Sequence, residues 1–174
     1  MESTSEERLN ALLNMLPLRE GDLCLDVACG TGVMTPLLQK RTGEKVEAID
    51  LSAKMIEIAK KKYQGNPKLS FRQGDFLENR NLYDFILIYN AYPHFLEAEK
   101  VAKAVKNSLK EGGRFAILHS FSRQKLEEHH SNVPHDISRD LKAPEEESEV
   151  FLKEGLQILR AEESESHYLI IGEK

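Results

Sequence analysis

Residues Leu25–Gly32 read LDVACGTG, and they complete a short apolar run, Asp22–Val27 (DLCLDV), that is bounded by glycines. A run of this length and texture is expected to be a strand buried on both faces. Gly30 and Gly32 then open a helix whose first turn tolerates Pro36. In open α/β sheets ligands bind beyond the carboxyl ends of the strands, where this loop is predicted to lie. The paired glycines remove side chains where a ligand must approach the backbone. A dinucleotide fingerprint would require glycine at positions 30, 32 and 35, and position 35 is Thr35. Asp26, two residues before the loop, would repel a pyrophosphate but attract an ammonium group, so the expected ligand has a cationic end.

Outward from this loop the pattern repeats. KVEAID (Lys45–Asp50) reads as a second strand, and Ser52 can cap a helix that runs through Tyr63. LSFRQ (Leu69–Gln73) and FILIY (Phe85–Tyr89) follow as strands. Ala98, Val101, Ala102, Val105 and Leu109 then mark one face of a helix, with Lys100, Lys103, Lys106 and Lys110 on a solvated face. Gly112 and Gly113 are expected to turn the chain into RFAILH (Arg114–His119). Such alternation implies a parallel sheet covered by helices on both sides. Upstream, Leu9, Leu12, Leu13 and Leu16 form the stripe of an amphipathic helix over Glu6–Leu16. Ser3 with Glu6, or Thr4 with Glu7, could form its capping box, and Pro17 stops it. Downstream, residues 120–143 change texture and carry His129, His130 and His135, with a helix expected over Ser122–Ser131. Pro144 can start a further helix that ends at Gly155, and Leu156–Arg160 with His167–Ile171 read as an antiparallel hairpin. One α/β domain, residues 1–174, is expected.

Composition narrows the function classes. The 174 residues carry 24 Lys+Arg against 29 Asp+Glu, a net charge of −5, which offers no broad footprint for a phosphate backbone. Nucleic acid is therefore not expected as a partner. The longest apolar run, Phe85–Tyr89, is five residues, far short of the roughly 20 that span a bilayer, so no membrane association is expected. The start, MESTSEER, lacks the basic and apolar regions of a secretory signal. Cys24 and Cys29 match no redox or zinc spacing. A cytoplasmic location is the resulting expectation.

Two further carboxylates fall at strand ends. Asp50, 18 residues beyond Gly32, can accept hydrogen bonds from both hydroxyls of a ribose. Asp75, in QGDF (Gln73–Phe76), can receive the exocyclic amine of adenine while Phe76 covers the ring. Singly, each could be a turn residue. Together with Asp26 and the paired glycines they point to an adenosine ligand that carries an amino acid.

The motifs LDVACGTG, AIDLSAKMIEIAKKK, QGDF, YDFILIYNAYPHF and LKEGGRFAILHS, in this order, resemble those of class I S-adenosylmethionine-dependent methyltransferases. The resemblance covers Asp22–Ser120, and the final hairpin is similar to the family's last strands. ILHSFSRQKLEEHH resembles an insert of small bacterial members. The resemblance implies a three-layer Rossmann-like methyltransferase fold with a seven-stranded, mostly parallel sheet of order 3-2-1-4-5-7-6 and an antiparallel last strand. It implies S-adenosyl-L-methionine as methyl donor. By carry-over Asp26, Ala28, Gly30 and Gly32 surround the methionine portion, and Asp50 holds the ribose. Leu51 and Met55 flank the adenine, Asp75 and Phe76 close its other side, and Asn90 and Ala91 face the donor. Ala28 departs from the commonest loop pattern, which has glycine there, by a methyl group. The cap is expected to be one helix within residues 1–20, with 120–143 serving as the acceptor-site lid.

Methyl transfer to a protic acceptor needs a base within reach. His94, His119 and His130 are the candidates, His94 and His119 because they would project from neighbouring strand ends toward the donor. Each also has a bland role, as packing, capping or surface residue. A cluster of three imidazoles, such as His94, His119 and His130, could instead hold a divalent metal, though this is not favoured. Arg123 could grip an acidic acceptor, and Cys29 beside the donor loop could be a thiol relay or simply a small buried residue. The expected activity is methyl transfer to a small molecule, by a monomer or a homodimer. The alternative is a non-catalytic donor-binding sensor or partner subunit.

Overall fold

The computed structural model describes residues 2–130 and 138–174, with side chains for these except residues 2–4, 126, 129 and 130. Seven strands form one sheet: β1 (Cys24–Val27), β2 (Val46–Asp50), β3 (Leu69–Gln73), β4 (Tyr83–Tyr89), β5 (Leu109–His119), β6 (Gln157–Glu163) and β7 (Tyr168–Glu173). Their order is β3-β2-β1-β4-β5-β7-β6. The pairs from β3 through β5 are parallel, and β7 runs antiparallel to both β5 and β6. This is the methyltransferase Rossmann-like arrangement expected from the motifs.

The strands are apolar on both faces because helices cover both. Helices α1 (Glu2–Leu13), α2 (Thr35–Thr42) and α3 (Ala53–Lys62) lie on one side. There Leu12, Leu13, Leu16 and Leu38 meet Phe85, Leu87 and Leu118, while Ile56 and Ala59 meet Ala48 and Phe71. On the other side α4 (Ala98–Ser108) brings Val101, Ala102 and Val105 against Ile86, Ile88 and Ile117. Phe85, Ile86 and Leu87 have no exposed surface; burying each such side chain contributes about 1.5–3 kcal/mol. The buried ion pair of Arg114 with Asp22, 3.0 Å, ties β5 to the turn before β1, and Asp22 also accepts the Arg19 N–H at 2.8 Å.

Several boundaries differ from expectation, each for a local reason. Helix α1 already begins at Glu2, so Ser3 and Thr4 lie within it rather than at its N-cap. Its leucine stripe packs on the sheet, and Arg8 on the same helix donates to the Ser120 carbonyl at the end of β5. Helix α2 starts at Thr35, not at the glycines, because Gly30 and Gly32 hold φ of 57° and 87°, outside right-handed helix. Gly112 and Gly113 lie inside β5 as an irregularity: the register jumps between Tyr83↔Leu109 and Phe85↔Arg114. The helix expected from Pro144 splits at Ser148 into α6 (Pro144–Glu147) and α7 (Glu149–Lys153), with α5 (Arg123–His130) preceding both. The Ser148 hydroxyl donates to the Pro144 carbonyl at 2.6 Å, the back-bonding that competes with a regular helix. Ser52 caps α3 as expected, accepting the Met55 N–H at 3.2 Å.

Candidate functional site

The carboxyl ends of β1, β2 and β4 converge on a cavity of about 560 Å³ with a mostly apolar wall. Val27 ends β1, and the chain leaves it through Ala28 at φ 54°. That backbone conformation costs an L-residue about 1–2 kcal/mol, so Ala28 carries strain as well as an extra methyl. The loop is then hung on β2. The Cys29 N–H donates to the Ile49 carbonyl at 3.1 Å, and the Gly30 N–H donates to Asp50 Oδ2 at 2.9 Å. Asp50 Oδ1 accepts the Ser52 N–H at 2.9 Å. Each carboxylate oxygen thus spends one lone pair on the backbone and keeps another.

Next to Asp50, Leu51 is 66% exposed over the cavity mouth. Asp75 Oδ1 accepts the Leu77 N–H at 2.9 Å, capping the 3-10 turn Phe76–Glu78. Phe76 is buried against Phe95, edge to face at 6.3 Å, and both line the cavity. On the far wall Asn90 holds φ 53°. Its Oδ1 accepts the Ser120 N–H at 2.8 Å and its Nδ2 donates to Ser120 Oγ at 3.0 Å, which locks it beside Ala91. His94, exposed, completes the wall that Ala28, Asp50, Leu51, Asp75, Phe76, Asn90 and Ala91 share with it.

Other expected site residues lie elsewhere. Asp26 is 2% exposed and outside the cavity wall, its Oδ2 accepting the Thr35 hydroxyl at 2.7 Å. Burial lifts its carboxyl to about 7; the Thr35 hydrogen bond opposes this and the charge of Asp50 adds to it. Its hydrogen bond to Thr35 ties the end of β1 to the start of α2. Gly30 and Gly32 are also outside the wall. A Cβ at Gly32 would sit 2.9 Å from Phe71 Cε1 and 3.0 Å from Tyr63 Cε2, so this glycine leaves room for a stacked aromatic pair. Met55 stands on α3 beyond the wall.

His119 does not project toward the mouth. It has no exposed surface and lies edge-on to Tyr168 at 5.6 Å, inside the layer between the sheet and the helices α4 and α7. The side chain of His130, like His129 and His135, lies outside the described residues, as does any metal site they would form. Among the described residues no group of three or more His, Cys, Asp or Glu could hold a metal. Arg123 pairs with Glu163 at 2.8 Å, away from the cavity. Cys29 is half-buried and off the wall, and burial, with Asp26 and Asp50 adding, pushes its thiol up, away from the thiolate.

Phe95, Leu96, Glu97 and Lys100 also line the cavity. Lys100 belongs to the run read as a solvated face, and it pairs with Glu97 at the rim. Its position in the first turn of α4 was the available signal, because the first turn of a helix after a parallel strand returns past the strand end.

A family model described as a methyltransferase domain matches residues 25–117. A demethylmenaquinone methyltransferase of Lactobacillus johnsonii is 31% identical over 111 residues, 59% of this chain and 46% of that one. The sterol 24-C-methyltransferase of Saccharomyces cerevisiae is 30% identical over 129 residues, 69% of this chain and 34% of its own. The chain thus spans about a third to a half of the length of these curated relatives. Among solved structures, a SAM-dependent methyltransferase from Aquifex aeolicus superposes with a TM-score of 0.77 at 22% identity, covering 95% of this chain and 88% of that one. One from Mesorhizobium loti gives 0.78 at 15% identity, covering 95% and 96%. Among the described residues no helix is long and apolar enough to cross a membrane.

Proposed function

Because the chain belongs to the methyltransferase-domain family of S-adenosylmethionine-dependent enzymes, we propose that it transfers a methyl group from S-adenosylmethionine to a small-molecule acceptor in the cavity at the strand ends. The observation that carries this reading is Asp50. Its carboxylate faces the cavity while the Gly30 and Ser52 N–H groups hold it still, so lone pairs remain for the two hydroxyls of a ribose. The residues around it fit the rest of the donor. Leu51 and Phe76 offer apolar surface for a purine, and Asp75 offers an acceptor for its amine. Ala28 and Ala91 keep the wall low on the opposite side. The volume lies within the roughly 300–1,000 Å³ of small-ligand sites.

Bound there, the donor supplies an electrophilic methyl group on a sulfonium. The protein's task is then alignment: rigid walls hold the reacting atoms in line, and effective molarity provides much of the rate. Asn90, locked through Ser120, and the Tyr92–Phe95 turn form the wall on the acceptor side. His94 is the imidazole on that wall and takes the proton of a protic acceptor. A small acceptor is supported by the mostly apolar wall and by quinone and sterol methyltransferases among the relatives.

Calorimetry with S-adenosylhomocysteine tests the donor site. The parent should bind it in the micromolar range, and Asp50→Ala should weaken binding at least about 100-fold, which is the loss of two charge-assisted hydrogen bonds. No heat with the intact protein refutes the assignment. Turnover tests the chemistry: release of S-adenosylhomocysteine with acceptors from an extract marks an enzyme, and binding with no release marks a sensor. His94→Ala should lower turnover about 100-fold or more while leaving S-adenosylhomocysteine binding intact.

A further inference from the structure

We propose that Arg139 is a positioning residue for the acceptor side of the cavity, fixing the Tyr92–Phe95 turn and with it the directions of His94 and Phe95. The proposal rests on the donor-site reading above, because that reading gives the wall its purpose. The turn is a short 3-10 segment closed by two bonds of its own, His94 N–H to the Ala91 carbonyl at 3.0 Å and Phe95 N–H to the Tyr92 carbonyl at 3.1 Å. Such a segment has little stability alone.

Arg139 holds it at three points. Its backbone N–H donates to the Pro93 carbonyl at 3.0 Å, and its Nε donates to the Phe95 carbonyl at 3.1 Å. Its guanidinium lies over the Tyr92 ring, 4.6 Å from the centroid. The guanidinium is itself held by a fork onto Glu147, 2.6 Å to Oε1 and 3.1 Å to Oε2. Glu147 is 3% exposed, and it also accepts the Tyr92 hydroxyl at 3.0 Å and the Lys142 N–H at 3.0 Å. Burial alone would raise this carboxyl, but the Arg139 fork, the Lys142 N–H and the Tyr92 hydroxyl bring it below its ordinary value. The carboxylate is therefore ionised and fully engaged. Arg139 does not line the cavity, so it acts through the turn. A lysine cannot replace it, because the two-pronged fork onto Glu147 and the Nε bond to Phe95 both need the planar guanidinium, and a single ammonium cannot make them together.

The test compares Arg139→Ala and Arg139→Lys with Ile171→Ala, a core truncation on the opposite sheet face, away from the clamp. Two quantities are read well below each melting temperature: the S-adenosylhomocysteine dissociation constant by calorimetry, and amide hydrogen exchange of His94 and Phe95 by NMR. Arg139→Ala should speed exchange at both amides at least about tenfold through local opening. It should weaken binding about tenfold, since Phe95 is freed from its place against Phe76. Arg139→Lys should fail to restore either, and Ile171→Ala should leave both within about twofold despite its lower melting temperature. Unchanged exchange in Arg139→Ala, full rescue by lysine, or an equal effect of Ile171→Ala overturns the proposal. If the parent binds no S-adenosylhomocysteine while exchange still rises selectively in Arg139→Ala, the donor site is refuted and the clamp stands.

Discussion

Replacing Asp26 by asparagine should reverse its effect on stability between acid and alkaline pH. The Asp26 carboxyl titrates at about 7 in the folded protein instead of its ordinary 3.8, because burial penalises its charge more than the Thr35 hydroxyl relieves it. Between those two values the folded state keeps a proton that the unfolded chain has released. Stability contributed by this group therefore falls as pH rises through that window and levels off above 7. At pH 8 the ionised, buried carboxylate costs about 4 kcal/mol as an upper bound. Asparagine cannot ionise, and its oxygen can still accept the Thr35 hydroxyl, but its amide hydrogens are buried at a cost of about 1–3 kcal/mol. The variant should be less stable than the parent at pH 4 and more stable at pH 8. The difference between the two comparisons, about 4 kcal/mol, is independent of the amide cost. Urea unfolding at both values reads it directly: with a slope near 2 kcal/mol/M, the variant's midpoint should move by about 2 M relative to the parent's. A midpoint offset that is the same at pH 4 and pH 8 would show Asp26 ionising normally, and the reasoning from its burial would fail.

Gly32→Ala should destabilise by about 2 kcal/mol or more, through left-handed strain at φ 87° and a methyl 2.9 Å from the Phe71 ring; a melting temperature within a degree of the parent's would contradict this. At Asn90, φ 53° and two hydrogen bonds to Ser120 are both at stake. Alanine should therefore cost about 2–3 kcal/mol and glycine about 1 kcal/mol less than alanine, the ranking being checked by chemical denaturation. Asp22→Ala leaves the Arg114 guanidinium buried without its carboxylate, and about 3–5 kcal/mol of unfolding free energy should be lost. A loss under 1 kcal/mol would mean that the carbonyl of Pro17, which also accepts from Arg114, satisfies the charge by itself.

What could be read from the chain, and what could not, divides along the range of the forces involved. The alternation of apolar runs with helical stripes, the Ser52 cap and the glycine loop are set by residues within a few positions of one another, and the sheet built from them has the expected order. Boundaries moved at Ser148 and Gly32, where a nearby hydrogen bond or a positive φ intervened. Arg139 gave no signal, because its partners Pro93 and Phe95 lie 40 or more residues away on another segment and no periodicity links them.

Asp26 and His119 are a different case, because their placement follows from strand geometry that a count of strand-end residues ignores. Side chains alternate between the faces of a sheet. Leu25 and Val27 face the α4 side, so Asp26 between them must turn with Cys24 toward α2, where Thr35 meets it. Phe115 and Ile117 face the α4 side too, and His119 follows them, but it stands on β5 next to β7, where Tyr168 buries it edge-on. Asp50, the last residue of β2, and Asp75, beyond the end of β3, have backbone N–H groups of the next turn to hold them and a cavity in front. His94, on a turn beyond β4, is free of the strand's parity and reaches the wall. Position relative to the end of the strand, more than residue type, therefore separates the side chains that line the cavity from those packed behind it.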